Sequence, residues 1–479
     1  MFDFASAAVE GALAAGASYA DARAVAATSE HLGARDGVLE SLRRADSLGV
    51  GVRALFGSSW GFFATADLTD ASARRAGEEA AAIAKASAMV PGPPLELADV
   101  AVHQTHWDSG WAELPSSVST GVKADVLIAA TAAMAAVVGV SVAEATYTSW
   151  DTEKWFVSSH GHRISQHIVE CGAGMSATAA SDTETQRRSY SGIGGHFGTR
   201  GFEIVREADL VGNAQRVGEE AVELLTAPLC PAATTDLILG PEQLGLQVHE
   251  SVGHAIELDR ILGWEAAFAG TSFLDLSQLG RFRYGSDVMN ITADATLPGA
   301  LGSFGFDDEG TPSQPVDIVR DGVWVGVLSG RDSAAIAGVA PGGMVRADGY
   351  GRLPMVRMTN VGLVPGDSSL DEMIAATRDG VYMETNRSWS IDDKRLNFQF
   401  GCEVGREIKN GRLGRLLRNP TYTGITPQFW GSLDMVGGPD EWLFWGTPNC
   451  GKGQPMQTGH TGHPAVPARF RNVRVGVAG

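Results

Sequence analysis

Cysteine is scarce in this chain. The four present, Cys171, Cys230, Cys402 and Cys450, lie far apart with no paired spacing, which argues against a disulfide framework. Positive charge is also short: 37 Lys and Arg stand against 56 Asp and Glu, a net charge of −19. A field of that sign disfavours nucleic acid and anionic membrane surfaces as partners. Long apolar runs are missing too. The nearest, ADVLIAATAAMAAVVGVSV at 124–142, holds Asp125 and many small residues, so it reads as a buried helix running into a strand. The opening MFDFASAAVEGALAAG is acidic where a secretory leader would be basic, and reads as an amphipathic helix. These absences predict a soluble cytoplasmic protein with reduced thiols.

What is present describes a well-cored globular chain. Hydrophobic residues make up 44% of it, which excludes intrinsic disorder, and 479 residues exceed what one core normally serves. Sixty glycines suggest many turns and substantial β content. A helix over about 4–15 precedes β-prone runs at 19–28, 48–57 and 60–65, and a second helix starts near Thr69 with Asp70 in its first turn. The proline-rich stretch 90–115 reads as an irregular connector. A helix at about 119–137, β-prone segments to about 200 and a long helix over 205–227 then repeat the pattern, which suggests a pseudo-repeat. TAPLCPAA at 226–233 supplies a boundary. Beyond it, the strand 234–240 leads into a helix starting at Pro241, with Glu242 beside it. Asp321-Gly322 and Asn410-Gly411 between alternating apolar runs predict hairpins. The expected fold is therefore α+β: an N-terminal α/β domain over 1–228, then an antiparallel β-rich domain over 229–479 with a metal-binding helix.

That helix carries HESVGH at 249–254. Two histidines at i and i+4 share a helix face and can grip one metal ion. Here the step is five, which places His249 and His254 roughly 140° apart around a regular helix. A single π-type turn absorbs one extra residue and returns them to one side, and Gly253 lowers the resistance to such a turn. Glu250 would then face a metal-bound water. Two histidines are insufficient, so a third ligand is required. Glu257 and Asp259 on the same helix, Cys450 in TPNCGKGQP, and His460 and His463 in TGHTGHP are all open to that role. Lys452 near Cys450 favours a thiolate, the form that binds zinc. A further cluster, His160, His162 and His167, lies in a strand-like stretch, and ordinary strand-face residues are the simpler reading of it than a second metal site.

The motif at 249–254, then FGFDDEG (304–310), RMTN (357–360), RNPTYTG (418–424) and CGKGQ (450–454), resembles the TldD/PmbA family in order and spacing. YADAR, GVGVR and WGFFAT near the N-terminus are similar to its first domain, so the resemblance covers essentially the whole chain. It implies a cytoplasmic zinc metallopeptidase of the catalytic TldD type. Its metal ligands map onto His249, His254 and Cys450, with Glu250 as general base. It further implies action on unfolded or small peptides within a chamber formed by two subunits, either a homodimer or a heterodimer with a TldE/PmbA-type subunit. Tyr422 and Arg357, in family-like segments, are candidate oxyanion or substrate contacts. His460 and His463 belong to a tail without a family pattern and stand as alternate metal contacts or substrate-groove residues. Two alternatives remain: a processing protease dedicated to one modified biosynthetic or antitoxin peptide, and a non-catalytic peptide-binding subunit.

Overall fold

The computed structural model describes residues 1–90, 92, 95–453 and 456–476; Gln454 of the CGKGQ segment and three prolines of the 90–115 connector lie outside them. The N-terminal half contains α1 (Phe2–Ala14), β1 (Tyr19–Arg35), β2 (Val38–Phe56), β3 (Ser59–Thr65) and α2 (Asp70–Ser87). After β4 (Gln104–Asp108) come α3 (Thr120–Ala135), β5 (Val140–Ser158), β6 (Arg163–Ala180), β7 (Thr185–Tyr190) and β8 (His196–Gly198). The half ends with α4 (Glu203–Ala208) and α5 (Leu210–Thr226). One eight-stranded sheet takes in all the strands, in the order β3-β2-β1-β5-β6-β4, with β7 and β8 also on β6.

The element order helix, two long strands, short strand, helix occurs twice, and the copies meet where β1 pairs antiparallel with β5. Asp36 and Gly37 join β1 to β2 at φ 48° and 81°, the left-handed pair that a two-residue hairpin turn requires. The hairpin is longer than the β-prone runs predict because its outer half, from Glu40 to Leu48, is polar and solvent-facing. The connector, expected to be irregular, holds β4, which pairs parallel with β6. The long helix expected over 205–227 is broken at Asp209, whose left-handed φ of 43° ends α4 while its side chain caps α5 through Gly212 N–H at 3.1 Å. Alanines dominate the core beneath α1 and α2.

The C-terminal half opens on β9 (Ala233–Leu239) and α6 (Pro241–Val248). β9 pairs parallel with strand Asp379–Ile391 and antiparallel with Ala468–Val475. Through Thr421–Ile425 and Asn397–Lys409 the pairings return to Asp379–Ile391, so five strands close on themselves. Asn410 and Gly411, at φ 48° and 74°, turn Asn397–Lys409 into its neighbour Arg412–Arg418. A separate two-stranded sheet pairs Leu443–Lys452 with Gln457–Ala465. Phe398, Phe400, Phe429, Trp430 and Phe470 fill the core behind α6. Among the described residues no helix is long and apolar enough to cross a membrane.

The two halves meet through buried ion pairs. Arg53 on β2 bonds Asp21 on β1 at 2.6 Å and reaches across to Glu309 at 3.0 Å. Arg23 and Lys154 both reach Asp308, at 3.3 and 3.2 Å. YADAR and GVGVR therefore grip FGFDDEG, which explains why these three stretches carry charge at buried positions.

Candidate metal centre

The extra residue in HESVGH is accommodated as the spacing requires. His249–Gly253 forms a π turn, and the His254 amide donates to the His249 carbonyl at 3.1 Å, a five-residue step. The turn is wide rather than overwound. It brings the two imidazoles to one side, with ring centroids 4.8 Å apart. Gly253 serves a different purpose from backbone freedom: a Cβ there would lie 2.1 Å from Met358 Sδ. Ser251 anchors the turn from behind. Its hydroxyl receives Trp430 Nε1–H and Gln247 Nε2–H, both at 2.9 Å, and its carbonyl receives the Tyr284 hydroxyl at 2.5 Å.

Cys450 joins the pair from strand Leu443–Lys452, with Sγ 3.7 Å from His254 Nε2. Two such donors on one tetrahedral zinc ion would lie about 3.5 Å apart. Ligand atoms of His249, His254 and Cys450 all fall within 4.8 Å of one another, and among the described residues they form the one such group. All three are buried.

Hydrogen bonds fix which ring nitrogen each histidine offers. His463 Nδ1–H donates to the Val361 carbonyl at 3.0 Å, so its Nε2 must accept. His249 Nδ1 lies 2.7 Å from that Nε2 and donates to it, which leaves His249 Nε2 with a free lone pair. His254 Nδ1–H donates to Glu257 Oε2 at 3.0 Å, and its Nε2 is likewise left free, toward Cys450. Burial lowers both imidazoles below their ordinary value, which favours the neutral ring that a metal requires. Burial would raise the Cys450 thiol, but His254 and then Arg357 outweigh it and hold the thiol below its usual range. A neutral, neutral, thiolate donor set with both imidazoles oriented suits a divalent zinc ion.

Several sequence candidates sit elsewhere. Glu257 orients His254 and pairs with Lys452 at 3.3 Å, while Asp259 takes the same ammonium at 2.8 Å. Lys452 therefore spends its charge on these two carboxylates and not on the thiol. Burial pushes Glu257 up, but Lys452 and His254 together hold it well below the usual carboxylate range. Tyr422 is 1% exposed and its hydroxyl bridges Gln243 and Gln247, each at 2.9 Å, behind α6. Both bonds face the helix, and the side chain packs within the C-terminal core. Arg357 is buried and donates to the Cys450 carbonyl, while its Nε has no partner among the described residues and its side chain lines the same cavity as His460. His460 bonds Glu170 at 2.8 Å and lies tilted against Trp150, lining a cavity of about 290 Å³ between the halves. His160, His162 and His167 take separate partners, Arg331, the His103 amide and Asp151, and do not converge.

Glu250 is 6% exposed, and its Oε2 accepts from Arg395 Nη1 at 2.6 Å. Arg395 was not visible as a site residue in the sequence. The only signal is its place in the IDDKRLN turn, where it holds φ 63°, a left-handed conformation that usually selects glycine or asparagine.

Family profiles match three consecutive stretches: PmbA/TldA metallopeptidase domain 1 at 20–84, the central domain at 113–229 and the C-terminal domain at 232–476. A protein of Methanothermobacter thermautotrophicus named a metalloprotease is 31% identical over 96% of this chain and 95% of its own length. This chain belongs to the PmbA/TldD family. A zinc metalloprotease TldD homolog of Saccharolobus solfataricus is 28% identical over 49% of this chain and 50% of its own. Two solved family folds superpose over nearly the whole length. A Thermotoga maritima protein described as a candidate modulator of DNA gyrase aligns at TM-score 0.79 and 17% identity, covering 99% of both chains. TldE from Thermococcus kodakarensis aligns at 0.71 and 14%, covering 98% of this chain and 99% of that one. At those identities the likeness shows the fold.

Proposed function

We propose that this PmbA/TldD chain is a zinc metallopeptidase of the His-Glu-x-x-x-His type, hydrolysing peptide bonds in unfolded or small peptides. The observation that carries the reading is the convergence of His249, His254 and Cys450, with Glu250 next in sequence to the first of them. The names of the curated relatives support a metallopeptidase, and one of them supports zinc. His249 Nε2, His254 Nε2 and the Cys450 thiolate would hold the ion. Zinc in such a site polarises a carbonyl and lowers the pKa of a bound water towards about 7.

The chain's own residues would do the rest. Glu250 accepts the proton of the attacking water and passes it to the leaving amine, a role worth roughly a hundred- to ten-thousand-fold in rate. His463 and Glu257 hold the two imidazoles in the required tautomers. Among the described residues, strand Leu443–Lys452, which carries Cys450, pairs only with Gln457–Ala465. An extended peptide bound along this strand through main-chain hydrogen bonds would tolerate many side chains but need an unfolded substrate. Association with a second copy or with a TldE-type subunit fits this reading, because TldE shares the fold. So does a reducing, cytoplasmic setting, given four buried free cysteines.

Two variants test it. Glu250→Gln is expected to retain one zinc per chain by metal mass spectrometry and to lose peptide hydrolysis. Cys450→Ala is expected to lose the zinc. Turnover surviving in Glu250→Gln would remove the general-base assignment, and wild-type protein that binds no metal would remove the reading altogether.

A further inference from the structure

Glu250 does not stand alone beside the centre. Arg395 Nη1 bonds it at 2.6 Å, and Arg395 Nε is buried with no partner among the described residues. An unpaired buried guanidinium N–H is costly and calls for an acceptor. The turn that presents it is fixed on every side. Arg395 N–H donates to the Asp392 carbonyl at 2.9 Å, and Thr426 Oγ1 donates to the Arg395 carbonyl at 2.7 Å. The amides of Thr271 and Phe273 hold the Asp393 and Lys394 carbonyls at 3.0 and 2.9 Å. The left-handed φ of 63° is thereby over-determined, as strained residues at functional sites are.

We infer that Arg395 is a catalytic residue, the donor to the carbonyl oxygen of the scissile peptide bond as that oxygen becomes an anion. The inference rests on the peptidase reading above. A general base lies within about 3 Å of the water whose proton it takes. Arg395 Nη1 is 2.6 Å from Glu250 Oε2, so the guanidinium, with its free Nε–H, lies within roughly 8 Å of a water held by that oxygen, on the side from which the carbonyl must come. In the step itself, the water oxygen forms a bond to the carbonyl carbon and the C=O π pair moves onto the carbonyl oxygen. The water proton goes to Glu250, then to the amine nitrogen as the C–N bond breaks. Glu250 loses its negative charge just as the carbonyl oxygen gains one. The guanidinium keeps a full anionic partner throughout, shifting its strongest hydrogen bond from base to oxyanion. That interaction exists only in the transition state, the condition for raising kcat and not merely binding. Tyr422 commits its hydroxyl to Gln247, and Arg357, whose Nε is also without a partner among the described residues, makes no hydrogen bond to Glu250.

Arg395→Gly is the variant of choice, since glycine favours the left-handed φ at this position. It should bind zinc as wild type and lose about 10²–10³ in kcat with KM little changed, the usual cost of one oxyanion donor. Added guanidinium ion should restore part of the rate, and Arg395→Lys should retain an intermediate one. A phosphinic peptide, which carries the tetrahedral anion without any proton transfer, should bind about 10²-fold more weakly to Arg395→Gly by calorimetry. An uncleaved peptide bound to Glu250→Gln protein should bind equally with and without the change. Wild-type phosphinate affinity in Arg395→Gly would reduce Arg395 to a holder of Glu250 and overturn the inference while leaving the peptidase reading intact. A rise in KM confined to peptides with a free C-terminal carboxylate, absent for their amides, would reassign Arg395 to chain-end recognition. A wild-type protein that neither cleaves peptides nor binds the phosphinate fails at the earlier reading.

Discussion

His463 touches no substrate, yet the offered nitrogen of His249 depends on it. Its Nδ1 is committed to the Val361 carbonyl, so its Nε2 can only accept, and His249 must donate from Nδ1. Removing this acceptor leaves a buried N–H unpaired and frees the His249 ring to rotate. His463→Ala is therefore expected to weaken zinc binding by roughly 10–100-fold, the usual cost of losing an outer-shell partner. Competition against a chelator of known affinity measures this, and an unchanged zinc affinity would show that the tautomer is set in another way. The residues that read out of sequence at this scale are those with a fixed local spacing, His249, Glu250 and His254. Cys450 stood among several open candidates for the third ligand, and only the family pattern singled it out. His463 and Arg395 did not read as supports, because their partners are chosen by the fold: His463 reaches His249 across 214 residues and Arg395 reaches Glu250 across 145. Lys452 misled for the same reason, its nearness in sequence to Cys450 being overruled by Asp259 and Glu257.

The π turn is the element on which the centre depends. A five-residue step predicts it from arithmetic alone, and the His254 to His249 backbone bond realises it. What arithmetic could not supply is the packing that keeps it. Met358, from the RMTN segment, sits where the Cβ of any larger residue at 253 would go. Gly253→Ala is expected to destabilise the fold by about 1–3 kcal/mol, the cost of overpacking a filled core. Met358→Ala should recover part of that loss, so the double variant is less than additive by denaturant unfolding. Full additivity would mean that Gly253 is needed for its backbone and not for the space. Hairpins were legible at this scale because Asp-Gly and Asn-Gly turns are local chemistry. The break at Asp209 was not, since an αL residue inside an apolar-periodic stretch leaves the 3.6-residue pattern on both sides intact.

At the scale of the whole molecule, the N-terminal sheet and the C-terminal core are joined by charge and by a buried histidine. His162 is 1% exposed and accepts the His103 amide on Nδ1 at 3.3 Å, against Phe156 and beside Gly310 of the FGFDDEG loop. Burial first, then the nearby Arg331, lowers it from 6.5 to about 4. A histidine with a depressed folded pKa is neutral in the native state, while the unfolded chain takes up its proton from about pH 6.5 downward. Its contribution to stability is thus complete above about pH 6.5 and is lost as pH falls towards about 4. His196, also lowered to about 4 by burial and stacked on Trp445, adds to the same window. The Asp308 pairs do not contribute there: burial raises that carboxyl, but Lys154 and Arg23 outweigh it and hold it below its ordinary 3.8, so their loss falls at still lower pH. Buried Glu242, raised to about 7, and Asp307, raised to about 8, act in the opposite sense as pH falls, so the histidine contribution is read as the difference between wild type and His162→Gln in denaturant unfolding between pH 7.5 and 4.5. On acidification the variant should lose about 1–3 kcal/mol less than wild type, each pKa unit of separation being worth about 1.4 kcal/mol. A slope unchanged in that variant would mean that the junction between the halves stays closed on acidification without help from a neutral His162.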